Sequence, residues 1–518
     1  MKKVFSLVAA AAITVNFTSL ALAKGGYNVE RLYGADRYKT SVSISNSYNK
    51  GEKLQNVIIA SGKDFPDALA GSVLSKKLNA PIVLSNNNLS ENTDTIQYIE
   101  NNLDKSGTIY LLGGTASVSE EFIEHMKTLG YTNLVRLGGK DRFDTNKSIV
   151  NFMKVEKGTP IVIANAYGFA DALSVSSIAA SKGYPIIMTS NSSLSTEAKD
   201  MIKNINPSKV YIVGGYASVG DGVTAELSKL LPSLGSSNII KLAGSTRYET
   251  SLAISEYFST DTDTAVLANG TNFPDALSGS ALASKLNAPI LLTNGQDISN
   301  QKDFIDNKSF KNIILLGGFA SIDIPVEYSL KGSDNITPEE KNYIDNLLSY
   351  SESYISKTKG ITKYMEDISN EVMSESSLEN TDDPSQLFSE LDNFINIYND
   401  CKATVETYKQ DLITLRDSAS NLQAQNGLEF LKEDYIKSIN LDIESSDQAI
   451  NLISSYIDIF NSLKDAASTG DVNKLQLTIQ KLEETNSSNV DQANNLSSGE
   501  TDIKKLKERL DVIKASMN

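Results

Sequence analysis

The sequence predicts an α/β protein: three tandem small modules, each with its own parallel sheet, followed by an all-α helical bundle. Three observations carry this reading. First, the stretch Arg31 to Thr40 (RLYGADRYKT) returns as Arg136 to Thr145 (RLGGKDRFDT) and as Lys241 to Thr250 (KLAGSTRYET), at a constant offset of 105 residues. A fixed period of that size marks copies of a small domain rather than a short solenoid repeat. Second, within each copy short runs that are apolar throughout alternate with helical periodicity, the signature of parallel strands covered on both faces. Third, beyond about Leu330 the pattern gives way to long seams of three- and four-residue steps.

Taken in order, the chain opens with Met1-Lys2-Lys3, an apolar Ala-rich run from Val4, and Ala21-Leu22-Ala23. Residues 1–23 read as a secretory signal cut after Ala23. Thr14, Asn16 and Thr18 interrupt the run and argue against a membrane anchor. No second stretch is long and apolar enough to span a bilayer, so the mature protein is expected to be exported without a membrane span.

The first module, residues 27–130, has apolar strands at Asn56 to Ala60, Pro81 to Leu84 and Thr108 to Leu112. Helical periodicity runs over Asp67 to Leu78, Ser90 to Leu103 and Glu120 to Leu129. The second module, 131–235, repeats the strands at Pro160 to Ala164, Pro185 to Met188 and Val210 to Val213. The third, 236–330, does so at Ala265 to Ala268, Pro289 to Leu292 and Asn312 to Leu316. No fourth Arg-Leu-x-Gly follows, and Pro325 is expected to cut the last helix short and end the array.

The tail, 336–518, opens with Thr337-Pro338-Glu339-Glu340, a capping box with Pro at the first helical position. One seam runs through Tyr343, Leu347, Tyr350, Tyr354, Ile361, Tyr364 and Ile368, with Lys357 as its polar exception. A second runs from Leu387 through Phe394, Cys401, Val405 and Leu412 to Leu422. Breaks at Asn426-Gly427 and Thr469-Gly470-Asp471 give four long helices, a coiled-coil-like bundle or hairpin stalk.

Charge is unevenly placed. Residues 1–330 carry 30 basic and 30 acidic side chains, so the whole net charge of −16 belongs to residues 331–518. Such a tail repels nucleic acid, while the repeats stay open to an anionic partner. A single cysteine, Cys401, excludes an intramolecular disulfide and a cysteine metal cluster, and its place on a seam reads as a small buried hydrophobe. Enzyme chemistry finds little footing. His125 is the only histidine and has no counterpart in the other copies; a G-x-S-x-G elbow and a phosphate-binding G-x-x-x-x-G-K-[ST] loop are both missing. No cofactor or metal is implied.

The candidate binding residues are those that recur where ligands sit in open parallel sheets, beyond the carboxyl ends of the strands. They are Arg37, Arg142 and Arg247, their neighbours Tyr38, Phe143 and Tyr248, and the aspartates of the Asp-Ala-Leu runs, Asp67, Asp171 and Asp275. Guanidinium forks and helix N-termini at one edge suit phosphate or carboxylate. Two structural roles compete with this. The aspartates can satisfy backbone donors at helix starts, and the arginines can pair with aspartates to tie modules together. Gly114, Gly215 and Gly318 are expected to permit tight strand-to-helix turns.

Three ordered copies of [RK]-L-x-G-x-x-R-[YF], x-[PA]-D-A-L, a Pro-initiated apolar strand and an apolar run closing in Gly-Gly resemble the clostridial type 2 cell-wall-binding repeats of surface-layer-associated proteins. The resemblance covers about residues 27–330. It implies three small α/β modules packed as a pseudo-threefold triangle, binding an anionic secondary cell-wall polysaccharide without covalent attachment. It also implies a cell-surface location on a Gram-positive bacterium, with other surface-layer proteins as further partners. The same motifs carry the contacts onto Arg37, Arg142 and Arg247 with Tyr38, Phe143 and Tyr248, and match the strands from Pro81, Pro185 and Pro289 to the family's Pro-Ile-Leu-Leu motif. Thr246 stands where the other copies have Asp36 and Asp141, and Ala170 where they have Pro66 and Pro274, so the groove is expected to be asymmetric. A wall hydrolase and an adhesion or lattice protein are the rival readings.

Overall fold

The computed structural model describes residues 26–68, 70–375, 384–423, 427–488 and 497–517; the expected signal segment lies outside them. The chain divides into two compact units between Asn335 and Ile336.

The first repeat contributes β1 (Asn28–Leu32), α1 (Arg37–Asn49), β2 (Leu54–Ser61), α2 (Gly71–Leu78), β3 (Ile82–Ser85), α3 (Thr93–Asn102), β4 (Leu103–Leu112) and α4 (Glu120–Thr128). The second contributes β5 (Asn133–Leu137), α5 (Arg142–Met153), β6 (Ile161–Asn165), α6 (Ala170–Lys182), β7 (Ile186–Thr189), α7 (Thr196–Ile205), β8 (Val210–Val213) and α8 (Asp221–Leu230). The third contributes β9 (Ile239–Leu242), α9 (Arg247–Phe258), β10 (Thr264–Asn269), α10 (Pro274–Lys285), β11 (Ile290–Thr293), α11 (Ser299–Asp306), β12 (Asn312–Leu316) and α12 (Ile324–Lys331).

These strands make three separate four-stranded sheets, ordered β3-β2-β4-β5, β7-β6-β8-β9 and β1-β12-β10-β11. Every pairing is parallel, as the uniformly apolar strands require. Each sheet therefore takes its outer strand from the repeat that follows it, and β1 closes the third, pairing Asn28 with Asn312 through Leu32 with Leu316. That closure explains why no fourth Arg-Leu-x-Gly is present: its slot is filled from the start of the chain. The expected role of Pro325 is overturned. It lies in the first turn of α12, where a missing N–H costs nothing, and the helix runs on to Lys331 before Gly332 at φ +65°.

The helices that follow the second strand of each repeat, α2, α6 and α10, pack on one another at the centre, giving the pseudo-threefold arrangement. Small residues make that approach close. In α6 every residue from Ala172 to Ala180 is buried, and Ser174 and Ser176 return their hydroxyls to the carbonyls of Ala170 and Leu173. Back-bonding of this kind hides a serine hydroxyl inside a helix without an outside partner. Across the seams Lys285 Nζ donates to Tyr48 O at 2.8 Å, Lys76 Nζ to Ser284 O at 2.9 Å, and Lys77 Nζ to Met153 O.

The second unit is helical: α13 (Pro338–Glu375), α14 (Pro384–Ser420), α15 (Glu429–Thr469), α16 (Val472–Ser488) and α17 (Ser497–Ser516). The capping box forms: Thr337 N donates to Glu340 and Glu340 N to Thr337 Oγ1. Lys357 leaves the seam to pair with Asp411, and its neighbour Thr358 is buried instead, bonded to the Tyr408 hydroxyl at 3.0 Å. Cys401 is buried, with burial raising its thiol pKa, and its Sγ lies 3.7 Å from Met365 Sδ. Among the described residues five helices stand where the seams suggested four. The fifth has a seam of its own, with Ile503, Leu506, Leu510, Ile513 and Met517 all buried.

Candidate functional site

Several residues of the recurring Arg31 to Thr40 stretch do the same physical task in each copy. Leu32, Leu137 and Leu242 are buried strand ends. The threonine three residues after each site arginine bonds back to the glycine: Gly34 N to Thr40 Oγ1, Gly139 N to Thr145, Gly244 N to Thr250. Asp36 caps α1 by accepting from Tyr38 N and Lys39 N, and Asp141 caps α5 likewise from Phe143 N and Asp144 N. Thr246 caps α9 with one bond, from Glu249 N. The Asp-to-Thr departure is thus a difference in capping.

Arg37, Arg142 and Arg247 are the first residues of α1, α5 and α9. A cation there faces the positive end of the helix dipole, an unfavourable place. Each guanidinium is held by a backbone carbonyl just past the next strand: Gly62 O at 2.7 Å, Ala166 O at 2.8 Å and Gly270 O at 2.6 Å. The neighbouring repeat supplies a negative charge. Arg37 lowers the pKa of Asp275 and Arg247 that of Asp171, although burial dominates and leaves both carboxyls raised overall. Among the described residues no direct ion pair joins these arginines to the aspartates, so the guanidinium edges stay available.

The aspartates do not cap their helices; Phe169 and Phe273 occupy the cap positions without a side-chain bond. Instead each carboxylate lies on the Gly-Gly turn of its own repeat. Ser117 Oγ donates to Asp67 Oδ2 and Ser321 Oγ to Asp275 Oδ2, the latter at 3.0 Å, and Ser218 does the same for Asp171. The expected role of Gly114, Gly215 and Gly318 passes to the glycine before each. Gly113, Gly214 and Gly317 have φ of +97°, +101° and +101°. A Cβ on any of the three would stand 2.2–2.3 Å from the aspartate Oδ2.

Where the repeats meet, Phe65, Phe169 and Phe273 form a triangle with centroids 5.5, 5.7 and 6.0 Å apart. Arg37 lies 6.0 Å from the Phe273 ring and Arg247 5.7 Å from Phe169. Arg142 is covered at 4.6 Å by Tyr167, which is 61 % exposed. A cavity of about 530 Å³ where the repeats meet is lined by Phe65, Tyr167, Phe169, Asp171, Ser218 and Arg247, among others. Cations stand beside aromatic rings at the carboxyl ends of the strands, an arrangement suited to an anion carried on an apolar-faced body such as a sugar ring.

The profile of the cell wall binding domain 2 (CWB2) matches residues 31–123, 136–224 and 241–327, just over half of the chain. The chain belongs to the cell wall binding domain 2 family. It is 30% identical over 319 residues to N-acetylmuramoyl-L-alanine amidase LytC of Bacillus subtilis, covering 61% of this chain and 60% of that protein. It is 32% identical over 304 residues to the amidase enhancer of the same organism, covering 58% and 40%. Among solved structures it resembles Cwp6 from Clostridium difficile, with TM-score 0.54 and 26% identity over 59% of this chain and 48% of that one. Cwp8 gives 0.52 and 27% over 60% and 52%. The chain therefore spans less than two thirds of each relative.

Within this CWB2 triad the sequence candidates fall into different places. Tyr38, Phe143 and Tyr248 are half-buried and pack on the core, and Tyr38 and Tyr248 lie against Gly62 and Gly270. Burial raises the Tyr38 pKa. The strands matching the Pro-Ile-Leu-Leu motif, β3, β7 and β11, are wholly buried and cannot meet a ligand. His125 lies partly exposed on α4. Missed at the sequence level was the phenylalanine triangle, although Phe65, Phe169 and Phe273 open the very runs that supplied the aspartates. The first residue of the stretch was missed as well. Arg31 pairs with Glu327 at 2.7 Å and donates to Gly317 O and Ile322 O, and Arg136 donates to Gly113 O and Gly114 O. Arg31 and Arg136 thus pin β1 and β5 to a Gly-Gly turn, while Lys241 of β9 donates to Val219 O at 2.6 Å.

Proposed function

We propose that the chain is an anchor without enzymatic activity, exported and held at the cell surface. Its three repeats bind an anionic secondary wall polysaccharide and leave the helical unit for display. The supporting observation is the placement of Arg37, Arg142 and Arg247 at helix N-termini, Arg37 and Arg247 beside two rings of the phenylalanine triangle and Arg142 beside Tyr167. An anion placed there would meet the guanidinium groups. The apolar faces of sugar rings suit Phe65, Phe169, Phe273 and Tyr167. Residue by residue, Arg37, Arg142 and Arg247 hold the anion, while Asp67, Asp171 and Asp275 orient the Gly-Gly turns and balance charge. Tyr38, Phe143 and Tyr248 support the turn on which each arginine stands.

The full chain should co-sediment with isolated cell walls and lose that binding when the anionic polymers are stripped. Retention by stripped walls equal to that by intact ones would overturn the polymer assignment. Because exposed ionic contacts are screened beyond about 8 Å at physiological ionic strength, retention should fall as salt rises. Steady release of sugar or peptide from the walls would instead make the chain a hydrolase, and self-association of the purified protein would support a lattice role.

A further inference from the structure

The residue that follows each Gly-Gly pair is Thr115 in the first repeat, Tyr216 in the second and Phe319 in the third. Tyr216 is 68 % exposed. Its ring covers the Lys241 ammonium, with Nζ 3.8 Å from the centroid, and Val219 O holds that Nζ at 2.6 Å. Phe319 takes the same place over Arg31, whose guanidinium carbon lies 4.6 Å from its centroid, and the exposed Tyr33 packs on Phe319 at 5.5 Å. Thr115 offers no ring, and Arg136, the counterpart of Lys241, is paired with Glu120 at 3.0 Å.

An exposed aromatic ring by itself says little, since apolar atoms cover much of any protein surface. Tyr216 is set apart by how it is held. Burial lowers the Lys241 pKa, and an ammonium drawn out of water holds a ring face more firmly than an exposed one does. The turn beneath is braced by Asn191, whose side-chain amide donates to Tyr216 O at 3.3 Å and to Ala217 O at 2.7 Å. A ring already fixed in place loses little freedom on binding. Its neighbours in the chain, Gly215 and Ala217, both line the cavity of about 530 Å³, as does Tyr167, another exposed ring over a cation. Tyr216 therefore stands at the rim of the groove where the repeats meet.

We propose that Tyr216 is an outer stacking subsite of this groove, taking the C–H face of a neutral pyranose residue on the ring face opposite Lys241. The inference rests on the polymer-binding reading and extends it: the polymer places an anionic unit at Arg247 and a neutral sugar at Tyr216. The face of an aromatic ring is the negative side of its quadrupole and attracts weakly positive C–H groups, so a sugar lies flat on it. The cation on the far side of the ring keeps that platform in one orientation.

The test titrates the full chain, by calorimetry, with the anionic polymer released from stripped walls. It is run at about 0.15 M and about 1 M salt, between which the screening length falls from about 8 to about 3 Å. Tyr216→Thr copies the residue that the first repeat carries at this turn, so it should melt like the parent while binding about three- to tenfold more weakly. That factor should persist at the higher salt, because stacking on a neutral sugar is not screened, whereas the loss caused by Arg247→Ala should shrink there. Tyr216→Phe keeps the ring and should bind nearly as the parent does. Unchanged binding by Tyr216→Thr overturns the subsite and leaves the polymer reading standing. So does a loss that vanishes at high salt, one that Tyr216→Phe shares, or one that accompanies a fall in melting temperature. Failure of the parent chain to bind the released polymer overturns the polymer reading, and the subsite with it.

Discussion

At the residue scale, the adjacent glycines of each Gly-Gly pair are not equivalent. Gly113, Gly214 and Gly317 combine a positive φ with a carboxylate where a Cβ would go. Alanine at any of these should cost about 1–3 kcal/mol, seen as a lower melting temperature. Alanine at Gly215, which has open space around it, should leave melting nearly unchanged. The aspartates beside these turns yield a pH prediction. Burial raises the folded-state pKa of Asp171 and Asp275, so the folded protein holds their protons more tightly than the unfolded chain does. Their contribution is therefore unfavourable above the raised pKa and is relieved as pH falls towards the ordinary carboxylate range. Asp171→Asn, which can still accept from Ser218, should raise stability at neutral pH and flatten its pH dependence below neutrality. It should also strengthen wall retention, by removing the charge that competes for Arg247. Weaker retention with unchanged melting would make Asp171 a ligand contact.

At the element scale, the borrowed strands carry the connections between repeats. β1 is fixed by its ladder to β12, by Tyr27 N to Leu330 O, and by the Arg31–Glu327 pair, whose side chains are 5 and 12 % exposed. Removing one partner of a buried pair costs about 3–5 kcal/mol, and Lys331 at 3.1 Å softens the loss for Glu327. Arg31→Ala should thus cost about 2–3 kcal/mol. Hydrogen exchange should accelerate first in β1 and β12 of the variant. In the helical unit, Gly499→Ala gains about 1 kcal/mol in helix propensity but drives a Cβ into Asp442. The collision should win, and the variant should melt lower than the parent.

At the scale of the whole molecule, Arg37 and Arg247 lie beside two rings of one aromatic triangle and Arg142 beside Tyr167, so under the proposed function the three would act on one polymer. Linked contacts on a repeating ligand gain effective concentration, and avidity exceeds single-site affinity by roughly 10² to 10⁴. Arg37→Ala, Arg142→Ala and Arg247→Ala should each reduce wall retention, and any two together should reduce it far more. Melting temperatures must be measured beside retention. If every loss of retention follows a loss of melting temperature, the arginines are ties between repeats and not a binding site. Arg142 differs from the others in its Tyr167 cover. Tyr167→Ala should therefore weaken retention while leaving melting unchanged, because its ring is mostly exposed.

Local signals in the sequence determined a great deal. The 105-residue period, the apolar strands and the heptad seams specify the modules, the parallel pairing and the helical tail, because each records a periodicity that a single element must satisfy. The capping box at Thr337 and the burial of Cys401 were legible for the same reason. Only the tertiary structure decided which strand completes which sheet, since a strand's pattern states that it is buried but not by whom. Closure by β1 therefore reversed the reading of Pro325 as the terminator of the array. It also separated two basic residues that look alike in sequence: Arg31 is spent on the Gly-Gly turn, while Arg37 stands at the convergence of the repeats. The phenylalanine triangle was hidden because its members lie about a hundred residues apart and meet only when three copies pack. Asp442 reads in sequence as a solvated acidic residue on a helix; burial between α15 and α17 is what leaves its Oδ1 without a partner.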